Sequence, residues 1–438
     1  MMKKYISMFA VLCLSMALSA CGGGGGGGGS GSTATGNTPA SNSTGGNTAS
    51  SNNTGGNTAT SNGPTASTVA NQVPLTAAGQ TFNTINRAYV SVTVCVPGTN
   101  TCQTIPNVVV DTGSTGLRLF ASAMTSQMLT GLQEETSNGQ PVNECAMFAG
   151  GNTWGTVRTA DVKMAGEVAA STPIQVISDG VTATPSACMS STGSAGLVTS
   201  PSAMGGNGLI GVDSLKQDCG AYCSSGPTTY YYAGTTEAAI PISEQVTNPV
   251  SLFSYDNNGI LLTLPSISSS GAVSTTGTLT FGIDTQSDNT LSSLGLTQYE
   301  TSGNSLAAKY GASATSMSAV FDSGSALLYF ADSSIPLCGG SGFTANMYCP
   351  SSALSETASV SGTNGTTGAL NFTVENANTL ISGSPQSYIF NDMAETTATN
   401  SALSGLLDMG LPFFYGRSVG FVLNGGTTYE GTGPAIVF

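Results

Sequence analysis

Short apolar runs alternate with clusters of Gly, Ser, Thr and Asn throughout residues 73–438. Apolar runs of this length, bounded by turn-forming residues, are typical of β-strands. Helical periodicity is scarce, and the best short helix candidates are residues 121–132, 243–254 and 401–407. The pattern therefore predicts an all-β fold. The clearest strand candidates are residues 88–96, 105–111, 116–120, 278–283, 319–321, 327–330 and 418–423.

The first residues show the pattern of an export signal. Lys3 and Lys4 precede an apolar run over residues 5–20, which is too short to span a membrane as a helix. The run ends in the sequence Leu-Ser-Ala-Cys at residues 18–21, which resembles the bacterial lipobox, whose cysteine is acylated and becomes the first mature residue. An ordinary signal peptide followed by an incidental cysteine is the alternative. We expect a lipoprotein signal peptide over residues 1–20 and a lipid on Cys21.

Residues 21–72 form a low-complexity segment. Eight glycines are followed by Ser, Thr, Asn and Gly in a loose repeat, with no charged residue and almost no large apolar one. Such a composition cannot bury a core, so we expect a flexible tether. Because Gly22 rather than Asp follows the cysteine, the lipobox resemblance implies the outer membrane. The predicted location is the bacterial cell envelope, facing the periplasm or the cell surface.

Composition and charge exclude several classes of chemistry. Charged residues make up only 7% of the 438-residue chain, whose formal net charge is −14, and the chain contains no histidine. The absence of histidine excludes Ser-His and Cys-His nucleophilic catalysis and most zinc sites. An acidic chain without a basic patch has no electrostatic footprint for nucleic acid. An enzyme of this composition would use carboxylates, hydroxyls or a bound cation.

The cysteines indicate an oxidising compartment. Of ten cysteines, Cys13 lies in the signal and Cys21 is the lipid candidate, which leaves an even number for disulfides. A metal site is the alternative, but the chain has neither histidine nor paired two-residue cysteine spacings. Short spacing favours three of the pairs, and the fourth follows from what remains. The expected pairs are Cys95–Cys102, Cys219–Cys223, Cys338–Cys349 and Cys145–Cys188.

Two segments carry the same candidate chemistry. An apolar strand runs into Asp111-Thr112-Gly113-Ser114, and a second runs into Asp322-Ser323-Gly324-Ser325. In each segment the strand can aim the carboxylate inward while Gly lets the backbone turn beside it. Two carboxylates held close together cannot both ionise cheaply, so they share one proton. One can then act as a base on water while the other donates a proton to a carbonyl under attack.

These residues resemble the pepsin-like aspartic peptidases. Residues 207–211, 240–264, 277–284 and 409–415 resemble further segments of that family in the same order. The resemblance implies two β lobes, residues 73–288 and 289–438, with an active-site cleft between them. It also implies a monomer that cleaves extended polypeptides without cofactor or metal, using one aspartate from each lobe.

The same resemblance assigns roles to the neighbours of the two aspartates. Asp111 and Asp322 would be the catalytic pair, with Gly113 and Gly324 at the turns beside them. Thr112 and Ser323 would lock the two loops together. Ser114 and Ser325 would donate to the outer carboxylate oxygens.

The substrate-binding positions depart from the family pattern. The family has a tyrosine in a hairpin over the cleft, whereas here Phe148 or Trp154 would occupy the hairpin tip. Arg118 stands where the family has the tryptophan partner of that tyrosine. Arg118 is either a structural ion-pair residue or a ligand for an acidic substrate side chain. Trp154 is either a core anchor or a hairpin residue over the cleft.

Three functional interpretations follow from these residues. An aspartic endopeptidase tethered to the envelope by its lipid is the leading one, because both aspartates and their hydroxyl neighbours are present. A catalytically silent scaffold that acts as a binding or inhibitory lipoprotein is the second. A cation site is the third, and it is disfavoured because each loop supplies only one carboxylate.

Overall fold

The computed structural model describes residues 70–189, 196–311, 316–399, 403 and 405–438. The predicted signal peptide, Cys21 and nearly all of the predicted tether lie outside the described residues. The first strands along the chain are β1 Gln72–Ala78, β2 Arg87–Cys95, β3 Cys102–Asp111, β4 Thr115–Phe120, β5 Gln133–Glu134, β6 Thr136–Ser137, β7 Gln140–Phe148, β8 Gly151–Met164, β9 Glu167–Ile177, β10 Gly208–Val212, β11 Tyr231–Ala233 and β12 Thr236–Glu237. The later strands are β13 Gly259–Leu264, β14 Thr275–Phe281, β15 Gln298–Glu300, β16 Leu306–Tyr310, β17 Met317–Asp322, β18 Leu328–Phe330, β19 Leu354–Ser361, β20 Thr367–Val374, β21 Ala394–Thr396, β22 Leu406–Gly410, β23 Arg417–Val422 and β24 Ala435–Val437.

Helices are short and lie between the strands. Each apolar run that predicts a strand overlaps an observed strand, so the all-β fold class is confirmed. The α-helices are α1 Ser126–Gly131, α2 Ser186–Met189, α3 Pro201–Met204, α4 Ala221–Ser225, α5 Leu291–Leu294, α6 Ala377–Gly383 and α7 Leu411–Phe414. The 3₁₀ turns are Ala121–Ala123, Ile242–Glu244, Pro249–Leu252 and Thr397–Thr399.

The helix predictions are only partly correct. Residues 121–132 contain a 3₁₀ turn followed by α1, as expected of a short helical segment. Residues 243–254 contain only 3₁₀ turns, because Pro249 lacks an N–H and the Asn248 side chain accepts from the N–H of Val250, which starts a new turn. Within 401–407, Leu406 and Leu407 belong to β22, and part of that segment lies outside the described residues.

The four predicted disulfides are all present. Cys95 and Cys102 close the β2–β3 hairpin, and Cys219–Cys223 and Cys338–Cys349 close short loops. The longer link joins Cys145 on β7 to Cys188 in α2. Cross-links that close loops restrict the unfolded chain and so stabilise the fold.

The same strand arrangement occurs twice in the fold. In the first copy, β10 pairs parallel with β3 and antiparallel with β4, and β9 continues the sheet parallel to β4. In the second copy, β22 pairs parallel with β17 and antiparallel with β18, and β21 continues parallel to β18. The Asp111 loop joins β3 to β4, and the Asp322 loop joins β17 to β18. Each sheet therefore presents one aspartate at the end of a central strand.

The copies lie in different sheets, and the larger sheet combines strands from both halves of the chain. The second copy belongs to a seven-stranded sheet with the order β20-β19-β16-β17-β22-β18-β21. In the larger sheet, β13 lies between β14 and β23, and β24 lies between β23 and β15. Strands on both sides of the boundary expected after residue 288 therefore share this sheet, and the boundary itself stays a prediction.

The strands that carry the two aspartates are anchored in one apolar core cluster. Val108 and Val110 of β3 and Phe321 of β17 are almost fully buried members of this cluster. Ile210 of β10 and Met409 of β22 belong to the same cluster. Since buried apolar side chains fix their strands tightly, the two loops start from rigid positions.

In the part of the chain that is described, no helix combines the length and apolar character needed to cross a bilayer.

Several carboxyl groups are buried away from the aspartate loops. Burial and the charge of Glu375 raise the pKa of Asp392 to about 7. Burial alone raises the pKa of Glu395 to about 7 as well. The folded protein therefore holds protons that the unfolded chain has already released in mildly acidic solution.

We expect the protein to be more stable in acid than at neutral pH. A raised carboxyl pKa means that the folded state binds more protons between about pH 4 and pH 7, so the free energy of unfolding falls as the pH rises through that window. Urea unfolding at pH 4.5 and at pH 7.5 measures the difference. In Asp392→Asn, which cannot titrate, the loss of stability should shrink by at least about 1 kcal/mol. An unchanged pH dependence in this variant would contradict the assignment.

Candidate active site

Two buried aspartates come together where β3 and β17 end. Asp111 is the last residue of β3 and Asp322 is the last residue of β17, and the side chains of both are fully buried. Their carboxyl groups are close enough to hydrogen-bond to each other. The two aspartates predicted from the sequence are therefore neighbours in space. They lie far apart in the chain, since 211 positions separate the residues that follow them, Thr112 and Ser323.

A reciprocal set of hydrogen bonds locks the two loops together. The Thr112 hydroxyl donates to the Phe321 carbonyl at 2.7 Å and accepts from the Ser323 N–H at 2.9 Å. In return, the Ser323 hydroxyl donates to the Val110 carbonyl at 2.7 Å and accepts from the Thr112 N–H at 3.1 Å. Each hydroxyl thus bridges two backbone groups of the opposite loop, and this fixes the separation of the aspartates.

Each carboxyl group is held by donors from its own loop. The Gly113 N–H donates to Asp111 Oδ1 at 2.9 Å, and the Ser114 hydroxyl donates to Asp111 Oδ2. The Gly324 N–H donates to Asp322 Oδ1 at 2.8 Å. The fourth contact is that of the Ser325 hydroxyl, which lies 2.7 Å from Asp322 Oδ2. The contacts therefore have the same pattern on the two sides. The donors stabilise negative charge, so a carboxylate is supported in either position.

Gly324 packs directly against the pair. A Cβ atom at this position would lie 2.6 Å from Asp111 Oδ1 and 3.0 Å from Asp322 Oδ1. The Oδ1 atoms of the two groups therefore face the same small space beneath Gly324. Only glycine leaves room for both of them there.

Both carboxyl groups of the pair have raised pKa values. Burial raises the pKa of Asp111 well above its usual range, and the neighbouring Asp322 charge raises it further. Burial also raises the pKa of Asp322, but hydrogen bonds from Asp111, from the Ser325 side chain and from the N–H groups of Gly324 and Ser325 oppose this effect. The pair therefore keeps a proton at a pH at which an isolated carboxyl group would have lost it.

A buried arginine adjoins the second loop and was not identified from the sequence. Arg87, at the start of β2, is 1% exposed, and its Nη1 donates to the Gly324 carbonyl. Burial lowers its pKa, while the charges of Asp322 and Asp111 are among the interactions that oppose the effect. The only signal in the sequence is a charged residue at the head of an apolar run.

Asn86, which directly precedes Arg87 and β2, connects this strand to the second half of the chain. The Asn86 side chain donates to the Ala326 carbonyl at 2.8 Å and accepts from the Phe390 N–H at 2.8 Å. It also accepts from the Tyr415 hydroxyl at 3.1 Å. An asparagine beside a strand carries no sequence signal for these contacts, which depend on residues more than 200 positions away.

The predicted hairpin over the site is formed by β7 and β8. Phe148 ends β7 opposite Gly151, with Ala149 and Gly150 at the tip. Phe148 is 4% exposed and packs in a cluster with Phe120 and Leu209, while the Arg118 guanidinium lies 5.6 Å from its ring centre. Ala149 packs against an apolar cluster that contains Ala326 and Leu327 of the second loop.

Trp154 lies away from the hairpin tip. It pairs with Cys145 on β7, packs with the Cys145–Cys188 disulfide and meets Tyr232 edge-on at 5.2 Å. Its indole N–H donates to the Thr182 carbonyl at 3.0 Å. Of the two interpretations left open by the sequence, these contacts are those of a core anchor. The alternative position at the hairpin tip is wrong, because Trp154 lies four residues beyond Gly150 along β8 and faces inward.

Arg118 is a buried ion-pair residue. Its Nη2 lies 2.5 Å from Glu144 Oε1 and 2.8 Å from Asp218 Oδ2, and all three side chains are fully buried. Nη1 also donates to the Thr115 carbonyl at 2.7 Å. The guanidinium is thus engaged within its own half of the chain, as the structural interpretation of Arg118 requires. Buried carboxylates demand such a partner.

The described residues contain no group of three or more Cys, Asp or Glu side chains arranged to hold a metal ion. Two neighbouring carboxyl groups such as Asp111 and Asp322 are suited to proton transfer. One carboxylate can accept a proton from water and one carboxylic acid can donate to an oxygen, both within a single enclosed site.

Comparisons with known proteins identify a family. The profile of a family described as "Protein of unknown function (DUF3443)" matches residues 67–438. No curated protein matches the sequence. Among solved structures, an aspartic proteinase from Irpex lacteus is similar at 18% identity and a TM-score of 0.44, over 84% of this chain and 96% of that one.

We expect the space beneath Gly324 to tolerate no side chain. In Gly324→Ala the added Cβ would meet the Asp111 carboxyl, so one of the two loops must shift. The expected cost is about 1–3 kcal/mol in the free energy of unfolding, measured by urea titration. Gly383→Ala, at the end of α6, is the matched control because its Cβ would meet nothing within 4 Å. Equal stability of the two variants would contradict the close packing of the pair.

Proposed function

We propose that this chain, which belongs to the DUF3443 family, is an aspartic endopeptidase that uses Asp111 and Asp322 as its catalytic pair. The observation that carries the proposal is the reciprocal lock between Thr112 and Ser323, which holds two buried carboxyl groups face to face. A carboxylate with a purely structural role gains nothing from a second carboxylate within hydrogen-bonding distance, because each raises the free-energy cost of ionising the other. The arrangement is suited to sharing one proton.

Hydrolysis would use the two groups in different roles. The ionised Asp322 removes a proton from a water molecule, whose oxygen attacks the peptide carbonyl carbon. Asp111 at the same time donates its proton to the carbonyl oxygen, which gives an uncharged tetrahedral diol. When this diol collapses, the proton held by Asp322 passes to the leaving nitrogen and Asp111 recovers its proton from the hydroxyl. The pair thereby returns to its starting state.

The substrate would be an extended polypeptide bound beneath the β7–β8 hairpin. Ala149 at the tip packs against the apolar cluster that contains Ala326 and Leu327, and both aspartates are fully buried. We therefore expect the hairpin to lift before a peptide reaches the aspartates. An extended chain can then pair with the hairpin as an added strand. Phe148 would supply apolar contact there but no hydroxyl group.

A catalytically silent scaffold is the second candidate function. It is favoured by one observation, namely that both aspartates are fully buried. A protein that binds or inhibits another protein through the same surface would have no need to open the pair to water. Fold alone does not distinguish the two functions.

We further propose that the protein acts at the bacterial envelope, tethered by a lipid on Cys21. The lipobox resemblance of residues 18–21 supports this proposal. In cells that process lipoproteins, Cys21→Ser should move the protein from the membrane fraction to the soluble fraction. Mass spectrometry of the mature N-terminus should find a diacylated or triacylated cysteine in the unsubstituted protein. A soluble, unacylated chain would contradict the anchor.

The decisive test is cleavage of unstructured polypeptides by the full chain between pH 3 and pH 8. Asp322→Asn should lower kcat/KM by at least about a hundredfold, because it removes the base. The acid limb of the pH profile should lie above the ordinary carboxyl range, since the pKa of Asp322 is raised. A statine-type inhibitor, whose hydroxyl can take the place of the attacking water, should block the reaction.

Asp392→Asn serves as the matched control, because it also removes a buried carboxyl but lies outside the catalytic pair. Its cleavage rate should match that of the unsubstituted chain. Cleavage that survives in Asp322→Asn would contradict the assigned base. No cleavage by a chain shown to be folded would favour the silent scaffold.

A further inference from the structure

A third buried carboxyl group lies directly behind the Asp322 loop. Asp408 is in β22, between β17 and β18, and its side chain is fully buried. Asp408 Oδ2 lies 2.8 Å from the Ser325 hydroxyl, which lies 2.7 Å from Asp322 Oδ2. A single hydroxyl group therefore connects Asp408 to the candidate catalytic base.

The number of protons in this chain of contacts is limited. Ser325 has one hydroxyl proton and can donate it to only one of its two carboxyl neighbours. The other contact is a hydrogen bond only if that carboxyl group carries a proton and donates it to Ser325. At least one of Asp322 and Asp408 is therefore protonated in this arrangement.

The surroundings determine which of the two holds the proton. Asp322 accepts from the N–H groups of Gly324 and Ser325 and from Asp111, all of which stabilise its charge. Asp408 Oδ1 is buried and has no hydrogen-bond partner among the described residues. An ionised carboxylate with one oxygen left unsolvated is costly, whereas a neutral acid is not. Asp408 is thus the better place for the proton.

The two copies of the strand arrangement differ at this position. Asp408 pairs with Val320, two residues before Asp322, and Leu209 pairs with Val109, two residues before Asp111. Leu209 is therefore the counterpart of Asp408 in the first copy. The Ser325 hydroxyl contacts the carboxyl group of Asp408, whereas the matching strand position behind the first loop is a leucine, so the two otherwise similar aspartates receive different support.

Few other ionisable groups face Asp408. On β17 it faces Asp322, and on β18 it faces Tyr329, whose phenol interacts with its charge. Glu395 of β21 and Arg87 of β2 act on Tyr329, and Arg87 also acts on Asp322. None of the salt bridges formed by the described residues involves Asp408.

We propose that Asp408 is a positioning residue that, as a neutral acid, donates to Ser325 and thereby commits the Ser325 proton to Asp322. This selects Asp322 as the ionised base and leaves Asp111 as the acid. The proposal rests on the proposed peptidase function for its effect on catalysis. Its structural part, the neutral state of Asp408, stands independently of activity.

The protonation of Asp408 agrees with its environment. Burial raises the pKa of Asp408 well above its usual range, and the charge of Asp322 raises it further. Successive donors polarise each other, so a proton on Asp408 strengthens the bond from Ser325 to Asp322. An ionised Asp408 would draw the Ser325 proton away and place a second charge beside the base.

The kinetic test compares Asp408→Leu, which copies Leu209, with Asp408→Asn, whose amide can still donate to Ser325. We expect the Leu variant to lower kcat/KM by about tenfold and to move the acid limb of the pH profile upward by about half a unit or more. The Asn variant should recover at least half of the lost activity and bring the acid limb back. Asp392→Asn should move neither limb.

The sign of the limb shift discriminates between the two protonation states. If Asp408 is ionised, removing it relieves repulsion and both variants move the acid limb downward. That result would overturn the proposal. Equal losses in the Leu and Asn variants, with no shift of either limb, would also overturn it, because they indicate a packing role alone.

A second readout does not depend on catalysis. In the full chain labelled with ¹³C at the aspartate carboxyl carbons, the resonance lost in Asp408→Asn identifies Asp408. We expect that resonance to keep its protonated chemical shift well above the pH range in which an exposed aspartate titrates. Titration in the ordinary aspartate range would overturn the proposal even if the chain cleaves peptides. A chain that cleaves nothing, with Asp408 still protonated, would instead refute the proposed function and leave the neutral acid in place.

Discussion

The burial of two carboxyl groups side by side is the constraint on which the rest of the structure depends. Each group loses its hydration and faces the charge of the other, so both have raised pKa values. The protein offsets this cost with donors from both loops and with the reciprocal lock of Thr112 and Ser323. Such a lock works only if both loops are held rigidly. The strand pairs behind each loop, and the apolar core beneath them, provide that rigidity.

The two halves of the site are similar in backbone and different in surroundings. Both loops end a central strand and both place a serine on the outer carboxyl oxygen. The first loop has Leu209 behind it, and the second has Asp408. Arg87 donates to the Gly324 carbonyl of the second loop. A symmetrical pair of carboxyls has no reason to prefer one proton position, so we propose that these differences select which of the two groups carries the proton.

Three of the four arginines of this acidic chain are buried inside the fold. Arg87 and Arg118 are almost fully buried, and Arg158 is 6% exposed. Arg118 neutralises the buried Glu144 beneath the hairpin, and Arg158 pairs with Asp179 and Glu134. The buried Asp392 and Glu395 have no such cation and remain protonated into the neutral range. A protein built in this way gains stability as the medium becomes acidic, which suits a reaction that requires one protonated carboxyl group.

The sequence by itself determined the features that depend on neighbours in the chain. Strand periodicity predicted the all-β class, and two repeated tetrapeptides predicted the aspartates and their hydroxyl partners. Short spacing predicted three of the disulfide pairs, and the fourth followed from the two cysteines that remained. Local signals suffice there because turns, hairpins and strands are specified by adjacent residues. The tertiary structure alone decided the contacts of Asn86 and Arg87 with the second loop, the inward position of Trp154 and the place of Asp408 behind Ser325. These contacts join strands that lie far apart in sequence, and strand pairing across a sheet leaves no periodic or spacing signal in the residues that it brings together.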